Sequence, residues 1–128
     1  MEQASKTATI MVVDDEPVIT HLVNRTLTRA GYHVIEVNDS TTAIGLIKAH
    51  NPDLILLDIR MPQISGLQLL ERIREFSDVP VIMLTAVHEL MALQKSFDIG
   101  ADDYIEKPFL PGILAARVLA KLRMAKKQ

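Results

Sequence analysis

The chain contains no cysteine, which removes disulfides, thiolate nucleophiles and thiolate metal sites together and suits the cytosol. No apolar run approaches the roughly 20 residues that span a bilayer, and residues 1–8 are small or polar, without the apolar core of a signal peptide. Positive charge is not in excess either. The formal net charge is −2, so composition offers no electrostatic argument for nucleic acid. Neither Gly-x-x-x-x-Gly-Lys nor Gly-x-Gly-x-x-Gly occurs, which leaves nucleotide binding without support. His21, His33, His50 and His88 lack the spacing of metal ligands and read as surface or boundary residues. The expectation is a soluble, cytoplasmic protein with no membrane or direct nucleic-acid contact.

What is present is a globular composition, 48% hydrophobic against 23% charged over 128 residues without an internal repeat, as expected of one domain. Its centre is Leu54-Ile55-Leu56-Leu57-Asp58-Ile59-Arg60-Met61-Pro62. Four consecutive aliphatics are too few for a buried helix and fit a parallel strand covered on both faces. The first polar residue after them is Asp58. Open α/β sheets place their chemistry where strands end, although an aspartate there often serves only as a turn former or cap.

Around this strand the pattern alternates. Residues 10–13 form a short strand ending in Asp14-Asp15-Glu16, and Pro17 opens a helix with Ile19, Leu22, Val23, Leu27 and Ala30 at helical spacing before Gly31. Residues 33–37 read as a second strand, followed by a helix capped by Thr41 or Thr42 and running to His50. After Gly66 a helix carries Leu69, Leu70, Ile73 and Phe76 on one face. Residues 80–84 form a strand ending in Thr85-Ala86, and a helix from about 88 to 99 stops at Gly100. A strand over 103–106 ends at Lys107-Pro108-Phe109, and the last helix starts near Pro111. Five strands alternating with five helices predict a doubly wound, five-stranded parallel sheet, an α/β fold of three αβα layers.

This scheme gathers Asp14, Asp15, Asp58, Thr85 and Lys107 at one edge of the sheet. If the first and third strands are neighbours, three carboxylates lie roughly 4–6 Å apart and each close pair repels by about 3 kcal/mol. Such a cluster wants a cation, and oxygen ligands without His or Cys select Mg2+. A carboxylate beside that metal can attack a phosphoryl group, with Lys107 neutralising phosphoryl oxygens and Thr85 offering a hydroxyl. Each residue also has a plainer reading: Asp15 as a helix cap, Lys107 as a solvated lysine, Thr85 as a strand end.

With those residues in place, the sequence resembles a receiver domain of the bacterial two-component response regulators over about residues 9–122. The motifs are Val13-Asp14-Asp15-Glu16, Asp58-Ile59-Arg60-Met61-Pro62 with Gly66, Pro80-Val81-Ile82-Met83-Leu84-Thr85-Ala86, and Gly100-Ala101-Asp102-Asp103-Tyr104-Ile105-Glu106-Lys107-Pro108-Phe109. The resemblance implies a flavodoxin-like strand order 2-1-3-4-5. It implies that Asp58 accepts phosphate from a histidine kinase or histidine phosphotransfer protein, and that Asp15, Asp58 and the Arg60 carbonyl bind Mg2+ directly, with Asp14 acting through water. Lys107 would pair with the phosphate, its bond to Pro108 being cis, while Thr85 and Tyr104 act as switch residues. The implied role is a signalling phosphoacceptor, not an enzyme.

Further partners implied are an output domain or effector protein and a phosphorylation-dependent homodimer through helix four, strand five and helix five. Asp103 and Arg117 match a crossed dimer salt bridge of receivers joined to winged-helix domains. At the positions of another such pair stand Leu93 and Ile113, which suggests exposed apolar area. The expected organisation is a flexible segment 1–8, a receiver over 9–123, and a basic tail or linker start over 124–128, whether the receiver stands alone or is a fragment. Two rivals differ in class. A haloacid-dehalogenase-like phosphatase needs Asp-x-Asp after the first strand, and here the acids are adjacent. A receiver-like scaffold that is never phosphorylated usually lacks an acid, the threonine or the lysine, and none is missing.

Overall fold

The computed structural model describes residues 7–86 and 89–126. In chain order it contains β1 (Thr9–Val13), α1 (Pro17–Arg29), β2 (His33–Val37), a 3-10 turn (Ser40–Thr42), α2 (Ala43–His50), β3 (Leu54–Asp58), α3 (Gly66–Arg74), β4 (Val81–Ala86), α4 (Leu90–Ile99), β5 (Asp103–Lys107) and α5 (Pro111–Lys126). The sheet is parallel in order β2-β1-β3-β4-β5, the fold class expected from the sequence. Residues 124–126 continue α5, while residues 1–6, 127 and 128 lie outside the described part.

Every residue of β3 is buried because helices cover both faces. Side chains alternate across a strand, so Ile55 and Leu57 join Met11, Val13, Val81 and Met83 under α2, α3 and α4. Leu54 and Leu56 join Ile10, Val12, Ile82 and Leu84 under α1 and α5. Burying each such aliphatic contributes about 1.5–3 kcal/mol, so the central strands are the most strongly determined part of the chain.

The helices depart from the sequence expectations in detail. In α1 the buried residues are Thr20, Val23 and Leu27, while Leu22 and Ala30 face outward. Thr20 tolerates burial because its hydroxyl donates to the Pro17 carbonyl at 3.2 Å and accepts from Asn38 at 3.0 Å. Ahead of α2 it is Asp39, not Thr41 or Thr42, whose side chain accepts a main-chain N–H, that of Thr41. Phe76 lies beyond the end of α3 and is exposed, with the Lys48 ammonium over its ring. The first described turn of α4 begins at Leu90, and His88, where the helix was expected to start, is outside the described residues.

Leu93 requires a correction. It is 8% exposed and packs into the core beside α3, so it does not add to an apolar surface. Ile113, at 48%, does. The i, i+3 and i+7 spacing of Leu90, Leu93 and Phe97 is helical, yet only the middle one points at the sheet; Leu90 and Phe97 are exposed.

Candidate functional site

Four strands deliver polar residues to the carboxyl edge of the sheet. Asp14 follows β1, Asp58 closes β3, Thr85 lies near the end of β4 and Lys107 closes β5. Local structure holds each one. The Asp14 N–H donates to the Val37 carbonyl at 3.0 Å, and the Asn38 amide donates to the Asp14 carbonyl at 2.9 Å. Asp14 Oδ1 accepts from the Glu16 N–H at 2.9 Å, which turns the chain into α1. After β3 the loop folds back so closely that a Cβ on Gly66 would sit 2.0 Å from the Asp58 carbonyl oxygen. Only glycine permits that approach. The Gly66 N–H donates to the Ile59 carbonyl, and a Ser65–Gln68 capping box starts α3.

Carboxylate oxygens of Asp14, Asp15 and Asp58 come within 4.8 Å of one another. Asp14 and Asp58 are buried, and Asp15 is exposed. The Lys107 ammonium lies 2.9 Å from Asp14 Oδ2, 3.2 Å from Asp58 Oδ1 and 3.5 Å from Glu16. Asp14 Oδ2 nevertheless accepts no aligned hydrogen bond; its contact with Lys107 is ionic only. Burial, and then the neighbouring Asp14 charge, push the Asp58 carboxyl up to about 7. Burial likewise raises Asp14, against the opposing pull of Lys107. Burial works against the Lys107 ammonium, but its contacts with Asp14 and Asp58 outweigh it and hold its pKa above the usual lysine value.

A magnesium ion fits this donor set. The oxygens are hard and converge, one is buried without a hydrogen bond, and no His or Cys intrudes. One lysine facing two buried carboxylates leaves negative charge uncompensated, which a divalent cation would neutralise.

The remaining expected residues are arranged as follows. The Lys107–Pro108 bond is cis. Thr85 is buried and turned aside, its hydroxyl donating to the Ala86 carbonyl at 3.1 Å. Tyr104 is outward, edge-on to Phe97 with ring centroids 6.2 Å apart, and the Arg117 guanidinium lies over its ring. Asp103 and Arg117, expected as a crossed dimer pair, bond each other within the chain at 2.9 Å. Sequence reasoning missed Asn38 and Glu89. Asn38 acts through contacts distant in sequence, and nothing in the pattern around Glu89 marks it. Glu16 stood in a quoted motif without a role and proves to be a third acid beside Lys107.

The sequence profile of the response regulator receiver domain matches residues 10–119. The chain belongs to this family. Among curated relatives, this receiver domain is 42% identical over 117 residues to Transcriptional regulatory protein YvrH of Bacillus subtilis (strain 168), covering 91% of this chain and 49% of that protein. It is 42% identical over 118 residues to "Probable transcriptional regulator ycf27" of Porphyra purpurea, covering 92% and 49%. The chain thus spans about half the length of the curated relatives it matches. Among solved structures, a CheY-like response regulator receiver domain protein from Methanospirillum hungatei JF-1 superposes with a TM-score of 0.90 at 29% identity, over 95% of this chain and 98% of that one. The receiver domain of NtrX from Brucella abortus gives a TM-score of 0.84 at 32% identity, over 89% and 98%. Among the described residues, no helix is long and apolar enough to cross a membrane.

Proposed function

We propose that this receiver accepts a phosphoryl group on Asp58 from a phosphohistidine of a partner kinase or phosphotransfer protein, in the cytoplasm. The observation that carries the reading is the convergence of three carboxylates and one lysine at a single sheet edge. An Asp58 oxygen attacks phosphorus, the bond from phosphorus to the donor nitrogen breaks, and its electron pair returns to the imidazole. Asp14, Asp15, Asp58 and the Arg60 carbonyl would hold magnesium, which when bound neutralises charge on the phosphoryl oxygens. Lys107, already 3.2 Å from Asp58, supplies a second positive charge to those oxygens. Thr85 exchanges its bond to the Ala86 carbonyl for one to the phosphoryl group, and Tyr104 turns inward behind it. The domain is a signalling module assisting its own phosphorylation and dephosphorylation, with residues 9–123 as its working unit.

The output surface in this reading is α4, β5 and α5, where Leu90, Phe97, Tyr104 and Ile113 are exposed. It serves an effector, an output domain or a second copy. Asp103 and Arg117 already bond each other within the chain, so a crossed pairing in such a dimer would compete with that contact.

Incubation with magnesium and a small acyl phosphate, followed by intact mass, tests the acceptor. The expected result is one hydroxylamine-labile phosphoryl group on Asp58, absent in Asp58→Asn and suppressed when magnesium is chelated. Full labelling of the Asn variant, or a stable adduct on a serine, would reject the assignment. A scaffold that is never phosphorylated would take up nothing.

A further inference from the structure

Glu89 plays no part in the phosphoryl chemistry above, yet its side chain is only 3% exposed. Among the described residues, two groups reach its carboxylate. The Arg60 guanidinium pairs with Oε2 through Nε, and the Ala86 main-chain N–H points at Oε1 from 3.4 Å. Arg60 is two residues beyond Asp58, and its side chain is 78% exposed. The carbonyl of the same Ala86 accepts the Thr85 hydroxyl at 3.1 Å. Glu89 also starts the helix, since its carbonyl accepts the Leu93 N–H at 3.0 Å. One buried carboxylate therefore touches the acceptor loop, the corner after β4 and the first turn of α4.

We propose that Glu89 is a positioning residue that ties the Arg60 loop to the Thr85–Ala86 corner and holds the start of α4 as seen here. The physical reason is asymmetry in the pair. A buried carboxylate depends on its cation, while an exposed arginine is free to take another anion. A phosphoryl group on Asp58 would carry a charge of about −1.5 to −2 in place of the carboxylate's −1, offering the Arg60 guanidinium a second anion two residues away in the chain. Drawing Arg60 away leaves Glu89 buried without its counter-charge, so the start of α4 must shift to solvate it. The far end of α4 is held independently, because the Gly100 carbonyl accepts two N–H bonds from Arg74. The helix consequently pivots about its Gly100 end, and its Glu89 end is the one that moves. This coupling rests on Asp58 being the acceptor, whereas the tie itself exists without phosphorylation.

The test reads the Thr85 methyl resonance and the amide exchange of Leu93 in unphosphorylated protein. Wild type is compared with Glu89→Gln, Arg60→Ala, Arg60→Lys and the Arg60→Ala/Glu89→Gln double variant. Glu89→Gln and Arg60→Ala should move the Thr85 methyl in the same direction and speed Leu93 exchange about tenfold. The double variant should do no more than the larger single, β3 amides should stay protected, and Arg60→Lys should remain near wild type. The proposal is overturned by an Arg60→Ala protein that matches wild type at both probes, by additive effects in the double variant, or by faster exchange that spreads through β3. A second arm adds magnesium and a small acyl phosphate: Glu89→Gln should show a smaller further Thr85 shift than wild type, and a full wild-type shift there also overturns the proposal. If wild type takes no phosphoryl group, the acceptor reading falls while the first arm still decides whether the tie exists.

Discussion

At the amino edge of the sheet the Arg74 guanidinium engages all five of its N–H donors. They meet the carbonyls of Gly100, Ser77 and Val79 and the Asp102 carboxylate, at 2.8–3.1 Å. Asp102 in turn accepts the Val81 N–H at 2.8 Å. At the carboxyl edge, Asp14 and Asp58 share one ammonium, and an Asp14 oxygen is buried with no hydrogen bond. Arg74 is half-buried and Asp102 exposed, whereas Asp14 and Asp58 are buried; only the amino edge gives its charges a full set of partners. A buried charge whose hydrogen bonds are complete serves the fold, whereas an incomplete set costs stability and is tolerated where a ligand will complete it. The contrast separates structure from function within one sheet.

The largest expected effect comes from breaking the satisfied edge. Arg74→Met leaves the Gly100, Ser77 and Val79 carbonyls without these donors, and each unsatisfied buried group costs about 1–3 kcal/mol. Some will find water, so a loss of about 3 kcal/mol is expected, measured as a lower urea midpoint with little change in slope. A loss below about 1 kcal/mol would mean that the guanidinium merely decorates the surface.

At the other edge the sign reverses. With magnesium chelated, Asp58→Asn should raise stability by on the order of 1 kcal/mol at pH 8, because it removes a desolvated charge facing Asp14. The Asp58 pKa rises from an ordinary 3.8 to about 7 in the folded protein. Its contribution to stability is therefore complete below about pH 4 and lost as pH rises through about 7. The Asn variant has no such loss, so its advantage should be larger at pH 8 than at pH 5. Thermal melts at the two pH values check this, and an advantage that grew toward acid would contradict the assigned direction.

The smallest effect is expected at the start of β5, next to the Arg74 cluster. Asp103 and Arg117 form a partly exposed pair, so Asp103→Asn should change stability by no more than about 0.5 kcal/mol. A loss well above that in denaturant titration would place this pair with Arg74 as part of the fold.

The elements most legible in the sequence were those with a local cause. Four aliphatics ahead of Asp58 specified a strand buried on both faces, and alternation of strands and helices specified the doubly wound sheet. Gly31 and Gly100 marked the ends of α1 and α4, where both adopt positive φ. Details governed by neighbours across the fold were not legible. Leu93 shares a helical stripe with Leu90 and Phe97, and only the packing of α4 against the sheet decides which of the three is buried. Thr20 reads as polar, yet partners at Pro17 and Asn38 make its burial affordable.

For the site, residue types and strand ends in the sequence alone brought Asp14, Asp15, Asp58, Thr85 and Lys107 to one edge, because a parallel α/β sheet exposes its loops there. Tertiary structure alone decided how those residues meet. Lys107 reaches Asp14, Asp58 and Glu16 together, Thr85 turns toward Ala86, and Asp103 bonds Arg117 inside the chain. The clamp at Arg74 and the tie at Glu89 belong to the same class, since Arg74 reaches Gly100 across 26 residues and Glu89 reaches Arg60 across 29. Periodicity and strand ends are properties of neighbours in sequence, and they survive in a string of letters. Charge pairing, hydrogen-bond completion and burial depend on distances that exist only once the helices are packed on the sheet.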